Sequence, residues 1–320
     1  MGAVAAVAAV QEGWAVGSGC SLAVTSPRVR TELPRALTAL VFNPSCSTLA
    51  AAAGRDLTFL QLSSTDQLEP SRARTPKRIT CLSAHPLSGF IAGSANGDVY
   101  FLSSHQPHSS SLLCAHTASA VTSVACSHNL LASGDHDGRI RVSRLPSSDH
   151  LGAHVIESFC LSHDGAVTSL AWLGAFANSC DSNLLLSSAS NSEHGISAWD
   201  PLTGALLACA YTNGPVQAMC PLSSNSLLVL SGDADDARQL SHVRVERGSA
   251  ADSSPVTLVC ENAAQLNKAA SSLDNACADK SFDALVVTAD GESVFHLHTQ
   301  QDCERRSCEL KVILEERAPL

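Results

Sequence analysis

Four short segments of the chain open alike. Leu37-Thr38-Ala39-Leu40, Ile79-Thr80-Cys81-Leu82, Val121-Thr122-Ser123-Val124 and Val167-Thr168-Ser169-Leu170 each run apolar, threonine, small, apolar. Their threonines follow one another at 42, 42 and 46 residues, and Gln217 of Val216-Gln217-Ala218-Met219 comes 49 after Thr168. A unit of that length cannot bury its apolar face alone, so copies must stack in a row or close into a ring.

Each opening continues as alternating or small-residue strands joined by tight turns. In the second unit these are Phe90-Ile91-Ala92-Gly93-Ser94, the turn Ala95-Asn96-Gly97-Asp98, and Val99-Tyr100-Phe101-Leu102. In the third, Leu131-Ala132-Ser133-Gly134 leads through Asp137-Gly138 into Ile140-Arg141-Val142. Asn-Gly and Asp-Gly pairs suit two-residue hairpins because they tolerate positive φ. Aromatic residues make up only 4% of the chain. Small and β-branched side chains must therefore fill the interior, which favours many thin, similar sheets over one thick core.

The fourth unit closes its third strand on Trp199-Asp200 and turns at Thr203-Gly204. His116 and His163 stand just before the Val-Thr-Ser openings, where WD repeats place a histidine that bonds a strand hydroxyl, a turn acid and the Trp. His116, His163, Trp199 and Asp200 are read as members of that buried network. Asp137 is assigned as the acid of the third unit, where Ser143 replaces the Trp. The histidines are accordingly structural rather than catalytic or metal-binding, because a buried polar group needs such partners.

These features predict an all-β fold, a seven-bladed WD40-type β-propeller that uses residues 1–320 as a single domain. Residues 1–35 supply a first, irregular blade. The other recognisable blade segments are 36–62, 78–104, 115–146, 163–212, 214–247 and 282–320. The stretches 63–77, 249–256 and 268–281 are expected to be surface loops, and the chain ends to pair so that no sheet edge is left open.

The formal net charge is −10, with 20 Lys/Arg against 30 Asp/Glu. The excess is uneven: residues 1–150 balance at +2 and residues 151–320 at −12. Affinity for phosphate backbones comes largely from cations, so any nucleic-acid contact should use the first half or belong to a partner. The 13 cysteines show no metal-ligand spacing and read as reduced, buried thiols. The apolar start lacks a charged leader and is too short to span a bilayer, so the expectation is a soluble intracellular protein. No glycine-rich phosphate loop, nucleophile elbow, paired carboxylates or Cys/His cluster stands out, so no catalytic, cofactor-binding or metal residue is assigned.

The stretch from Gly97 to His163 is more specific than the repeat. It contains Gly97-Asp98-Val99-Tyr100, then Asp137-Gly138-Arg139-Ile140-Arg141-Val142-Ser143, then Ile156-Glu157-Ser158-Phe159-Cys160-Leu161-Ser162-His163. In order and spacing these runs resemble the WD-repeat non-catalytic subunit of tRNA (guanine-N7-)-methyltransferase, in which they read roughly G-D-V-Y, D-x-K-I-R-V-S and I-E-S-F-C-L-G-H. The second and third depart from ordinary WD repeats in the same way as that family.

The resemblance implies a scaffold that forms a heterodimer with a catalytic subunit and has no activity of its own. S-adenosylmethionine would sit in the partner, and N7-methylguanosine would form in the tRNA variable loop. The resemblance also places the protein in the nucleus, with the cytoplasm as a second compartment. It assigns the partner contact to Arg139, which keeps the charge of the family's Lys, with Arg141 ordering the local loop and Asp137 beside them. From spacing alone, Arg139 and Arg141 are two alternating arginines on one face of a strand, where exposed ion pairs contribute little.

Arg72, Arg74, Lys77 and Arg78 form a basic run around a proline, with no aromatic residue interleaved. They are candidates for contact with tRNA phosphates, against the alternative of a solvated loop. The rival to the methyltransferase reading is a WD40 adaptor serving other partners, in ubiquitin ligation or trafficking for example.

Overall fold

The computed structural model describes the backbone of residues 5–10, 13–18, 20–24, 29–62, 70–86, 89–103, 110–127, 129–145, 155–174, 183–191, 195–232, 239–247, 256–262, 282–287, 294–300 and 311–316. Side chains are described mainly between residues 31 and 260.

The strands fall into seven antiparallel sheets, each continuous in sequence. Blade 1 is β1 (Ala5–Val10), β2 (Gly13–Ser18), β3 (Ser21–Val24) and β4 (Val29–Glu32). Blade 2 is β5 (Ala39–Asn43), β6 (Thr48–Ala53), β7 (Asp56–Gln61) and β8 (Ser71–Arg74). Blade 3 is β9 (Ile79–Ala84), β10 (Phe90–Ser94), β11 (Asp98–Leu102) and β12 (Ser110–Ala115). Blade 4 is β13 (Val121–Cys126), β14 (Leu130–Asp135), β15 (Ile140–Arg144) and β16 (Ile156–Cys160). Blade 5 is β17 (Val167–Leu173), β18 (Leu184–Ala189), β19 (Ile196–Trp199) and β20 (Leu206–Ala210). Blade 6 is β21 (Val216–Ser223), β22 (Ser226–Ser231), β23 (Gln239–Arg247) and β24 (Val256–Asn262). Blade 7 has three described strands, β25 (Phe282–Val287), β26 (Val294–Gln300) and β27 (Lys311–Glu316).

The repeated openings found in the sequence form the first strand of their blades, β5, β9, β13, β17 and β21. These first strands neighbour one another in turn, and β1 meets both β5 and β25, which closes the ring. Among the described residues the chain ends do not share a sheet: blade 1 is complete without a C-terminal strand. Among the described residues the ring closes through β1 against β25 rather than through a sheet shared by the chain ends. A complete first blade already presents an innermost strand to blade 7, so no terminal exchange is needed to bring them together.

A second correction concerns 63–77. Ser71–Arg74 is the outer strand of blade 2, paired with β7 from Asp56↔Arg74 to Phe59↔Ser71. Likewise Val256, placed in a loop, begins β24. Ser71–Arg74 is a short, polar outer strand with solvent on one side, so it lacks the apolar alternation by which inner strands are recognised; at Val256 only the loop boundary moves, by one residue.

The core lies between blades. In β6 every residue of Thr-Leu-Ala-Ala-Ala-Ala is buried. Leu49, Ala51 and Ala53 face the blade 1 side, while Ala50 and Ala52 join Phe59, Phe90 and Leu102 between blades 2 and 3. A second strand sandwiched between two neighbouring sheets must be apolar on both faces. Small side chains let the blades approach closely there. Each fully buried leucine in such a layer contributes about 1.5–3 kcal/mol.

Because the first strand of each blade is innermost and pairing is antiparallel, two connections emerge on the same face of the ring. These are the turn between second and third strands and the link to the next blade. That face, here the upper face, carries the blade 4 turn, His116, His163 and the links of blades 2 and 3, whereas the Asp200 turn and Arg144 lie at the opposite ends of their strands.

Candidate partner-binding site

Blade 4 turns from β14 to β15 through Asp135-His136-Asp137-Gly138-Arg139. Asp135 organises the turn: its Oδ1 accepts the backbone N–H groups of Asp137 at 2.9 Å and Arg139 at 2.9 Å. Gly138 has φ +82, and an added Cβ would run into the carbonyl oxygens of His163 and Gly165. The turn is thus wedged under the loop that carries the histidine of blade 5, and only glycine fits.

Asp135, not Asp137, is the acid of the blade 4 network. Its Oδ2 lies 2.9 Å from His116 Nδ1, and His116 Nε2 lies 2.8 Å from Ser133 Oγ. All three residues are buried. Asp137 instead points to solvent, 4.0 Å from the exposed ring of His136. The two acids are two residues apart, and the turn rotates the second one out. Burial is the largest influence on His116 and pulls its pKa below the ordinary value; Asp135 opposes this, and Arg141 and Arg139 reinforce it.

In blade 5, Trp199 Nε1 donates to Ser187 Oγ at 2.6 Å and His163 Nε2 lies 2.7 Å from the same oxygen. Ser187 Oγ can accept from the indole and donate to the imidazole at once, an arrangement that suits a neutral His163, and burial lowers the His163 pKa. Asp200 does not join these groups. It holds the following turn, accepting from Leu202 N at 3.0 Å and Thr203 Oγ1 at 2.6 Å. Among the described residues the network is thus divided: blade 4 has the acid and no Trp, blade 5 the Trp and no acid bonded to its histidine.

Ser143 occupies the blade 4 position equivalent to Trp199, pairing with Leu131 as Trp199 pairs with Leu185. In place of an indole, the Arg141 guanidinium bonds there. Its Nε donates to Ser143 Oγ at 2.8 Å and its Nη1 to the Ala115 carbonyl at 3.2 Å, tying β15 to the end of β12. Arg139 is exposed and makes no ion pair among the described residues. Arg144 Nε pairs with Glu157 at 2.5 Å.

The rim beside these arginines is apolar. Phe159 is 47% exposed, Leu161 67%, Ile156 44% and Val155 59%. Phe159 pairs directly with Arg141, and the same register carried one step on puts Leu161 opposite Arg139. Sequence reasoning selects the arginines and misses these neighbours. The run Ile156–His163 is distinctive in the sequence, yet its alternation alone does not tell which face an outer strand leaves uncovered.

The remaining basic candidates lie on blades 2 and 3. Arg74 and Arg72 project from β8, Arg74 Nε standing 3.7 Å from Asp56 Oδ1 and Arg72 Nη2 3.5 Å from the Glu32 carbonyl. Lys77 and Arg78 are exposed on the link to β9. The structure does not bring these four to the blade 4 turn. Among the described residues no group of three or more His, Cys, Asp or Glu side chains could hold a metal ion.

Residues 107–281 match the family model described as the tRNA methyltransferase TRM82 WD40 domain. A comparison with curated protein sequences finds no match. Among solved structures, a chain in "Crystal Structure of Mitotic Checkpoint Complex" is 17% identical with a TM-score of 0.63, over 88% of this chain and 83% of that one. The computationally designed Ika8 protein is 19% identical with a TM-score of 0.55, over 75% and 70%. At these identities the two structures carry the propeller fold alone.

Proposed function

This chain belongs to the tRNA methyltransferase TRM82 WD40-domain family, and from that premise we propose that it is the non-catalytic subunit of a tRNA (guanine-N7-)-methyltransferase. It binds and steadies a catalytic chain that holds S-adenosylmethionine, and so supports N7-methylguanosine formation in the tRNA variable loop. It works in the nucleus, with the cytoplasm as a second compartment.

The observation that carries the reading is the surface of blade 4, which lies inside the matched segment 107–281. Arg139 is an exposed cation on a turn whose backbone is pinned by buried Asp135. Beside it, Phe159 and Leu161 expose apolar area that a monomer gains nothing by showing. A fixed charge next to an exposed aromatic is the usual make-up of a contact hot spot. Arg139 would pair with a carboxylate of the catalytic chain, bidentately where geometry allows. Arg141, already bonded within blades 3 and 4, would hold the turn in place.

The test is co-expression with the tRNA guanine-N7 methyltransferase of the same host, comparing wild type with Arg139→Glu. Stable co-purification and methyl transfer to tRNA are expected for wild type, both weakened by the charge reversal. Failure of the wild-type chain either to pair or to stimulate transfer would sink the reading.

A further inference from the structure

We propose that Arg35, Arg55, Arg74, Lys77 and Arg78 form one binding site for the phosphodiester backbone of a folded RNA, on the upper face of blades 2 and 3. The choice of RNA rests on the subunit reading above; the site itself rests on how three separate segments converge.

The turn between β6 and β7 is Gly54-Arg55. Gly54 has φ +70, and a Cβ there would stand 3.1 Å from Arg35 Cδ. Arg35, from the link between blades 1 and 2, therefore lies across this turn. Arg55 is tied to the link between blades 2 and 3: its Nε donates to the Thr75 carbonyl at 3.1 Å, and Thr75 N donates back to the Arg55 carbonyl at 2.9 Å. Buried Thr75 also bonds the Lys77 carbonyl through Oγ1 at 2.7 Å. The Arg78 carbonyl accepts from Ala95 N at 2.9 Å, anchoring the link to the turn of blade 3. The backbone beneath the cations is thus locked, while Lys77 and Arg78 point to solvent.

Among the described residues, Asp56 is the carboxylate that pairs with this group. Asp56 Oδ2 lies 3.7 Å from Arg35 Nε and its Oδ1 3.7 Å from Arg74 Nε. Both separations exceed a hydrogen bond, and both arginines are about two-thirds exposed. Asp56 spaces two guanidinium groups without neutralising five cations. Residues 28–78 hold eight of the chain's 20 Lys/Arg, whereas the acidic excess belongs to residues 151–320, which build blades 5 to 7 and the outer strand of blade 4. A polyanion is therefore drawn to blades 2 and 3 and repelled across the ring.

The ligand chemistry follows from what surrounds the cations. The Phe and Tyr side chains of blades 2 and 3 are buried, so among the described residues no platform for base stacking accompanies the charges. Contacts to phosphate position a nucleic acid without reading its sequence. Arg72 is marginal to the site: it sits two residues down β8, opposite Thr58 rather than Asp56.

The experiment measures binding of the full-length chain to an unmodified tRNA transcript by fluorescence anisotropy across a salt series. The double variant Lys77→Glu/Arg78→Glu should bind at least about tenfold more weakly. Its dependence of log K on log salt should be shallower by about two, one for each cation that no longer neutralises a phosphate. Arg139→Glu should leave RNA binding unchanged, and the double variant should still co-purify with the methyltransferase. Absence of wild-type binding at low salt overturns the site, as does equal weakening by Arg139→Glu. Displacement of tRNA by polyglutamate as readily as by polyuridylate would reassign the site to an acidic peptide and overturn it too. RNA binding through Lys77 and Arg78 without methyltransferase pairing would sink the subunit reading and leave the site standing.

Discussion

Phe159 stands directly opposite Arg141 across the β15–β16 pair, so an exposed ring and a half-buried guanidinium share one face of the blade 4 sheet. If this face meets the catalytic chain, the ring supplies the apolar centre of the contact. Phe159→Ser should weaken pairing about tenfold, or ~1.4 kcal/mol, measured by titration calorimetry. Its effect on unfolding should stay within about 1 kcal/mol, because half the ring is already in water.

Asp135 and Asp137 should behave oppositely. Asp135→Ala removes the partner of His116 and the acceptor of two backbone N–H groups inside the fold. A loss of about 2–4 kcal/mol in urea unfolding is expected. Asp137→Ala, at an exposed side chain, should fall within about 0.5 kcal/mol. Equal losses would show that the acid is misassigned.

Stability should fall with acidification. Burial holds His116 and His163 below the ordinary imidazole pKa of 6.5. Between that value and the lowered ones, the unfolded chain takes up protons that the folded chain refuses. The histidine contribution is complete above about 6.5 and is lost as pH drops toward the folded values. His163→Gln should be less stable at neutral pH yet show a shallower decline in Tm on acidification. An unchanged slope would contradict the neutral assignment.

Gly138→Ala should cost about 2 kcal/mol or more. The positive φ is unfavourable for any L side chain, and the Cβ would press on the carbonyls of His163 and Gly165. Thermal unfolding of this variant would report whether the wedge between blades 4 and 5 is as tight as the geometry requires.

Thiol labelling should follow burial. Cys160 is fully buried and its thiol is pushed up to about 12, chiefly by desolvation; Cys114 is raised for the same leading reason. Cys20 and Cys260 are exposed. Iodoacetamide under native conditions, read by peptide mass spectrometry, should modify Cys20 and Cys260 well before Cys114 and Cys160.

The amino-acid order by itself determined the ring of seven. Blade openings at Thr38, Thr80, Thr122 and Thr168 set the period, and Asn96-Gly97 and Asp137-Gly138 set the hairpins, because strand alternation and turn chemistry are local and written in neighbouring residues. The arginines at 139 and 141 were legible for the same reason. What only the tertiary structure decided were relations between residues far apart or one turn away. It chose Asp135 over Asp137, since a turn can bury either acid and only the position of His116 selects one. It exposed Phe159 and Leu161, since an outer strand's free face depends on how far the neighbouring blade reaches. It also gathered Arg35 and Arg55 beside Arg74, Lys77 and Arg78, since cations from separate links meet only where the blades converge in space.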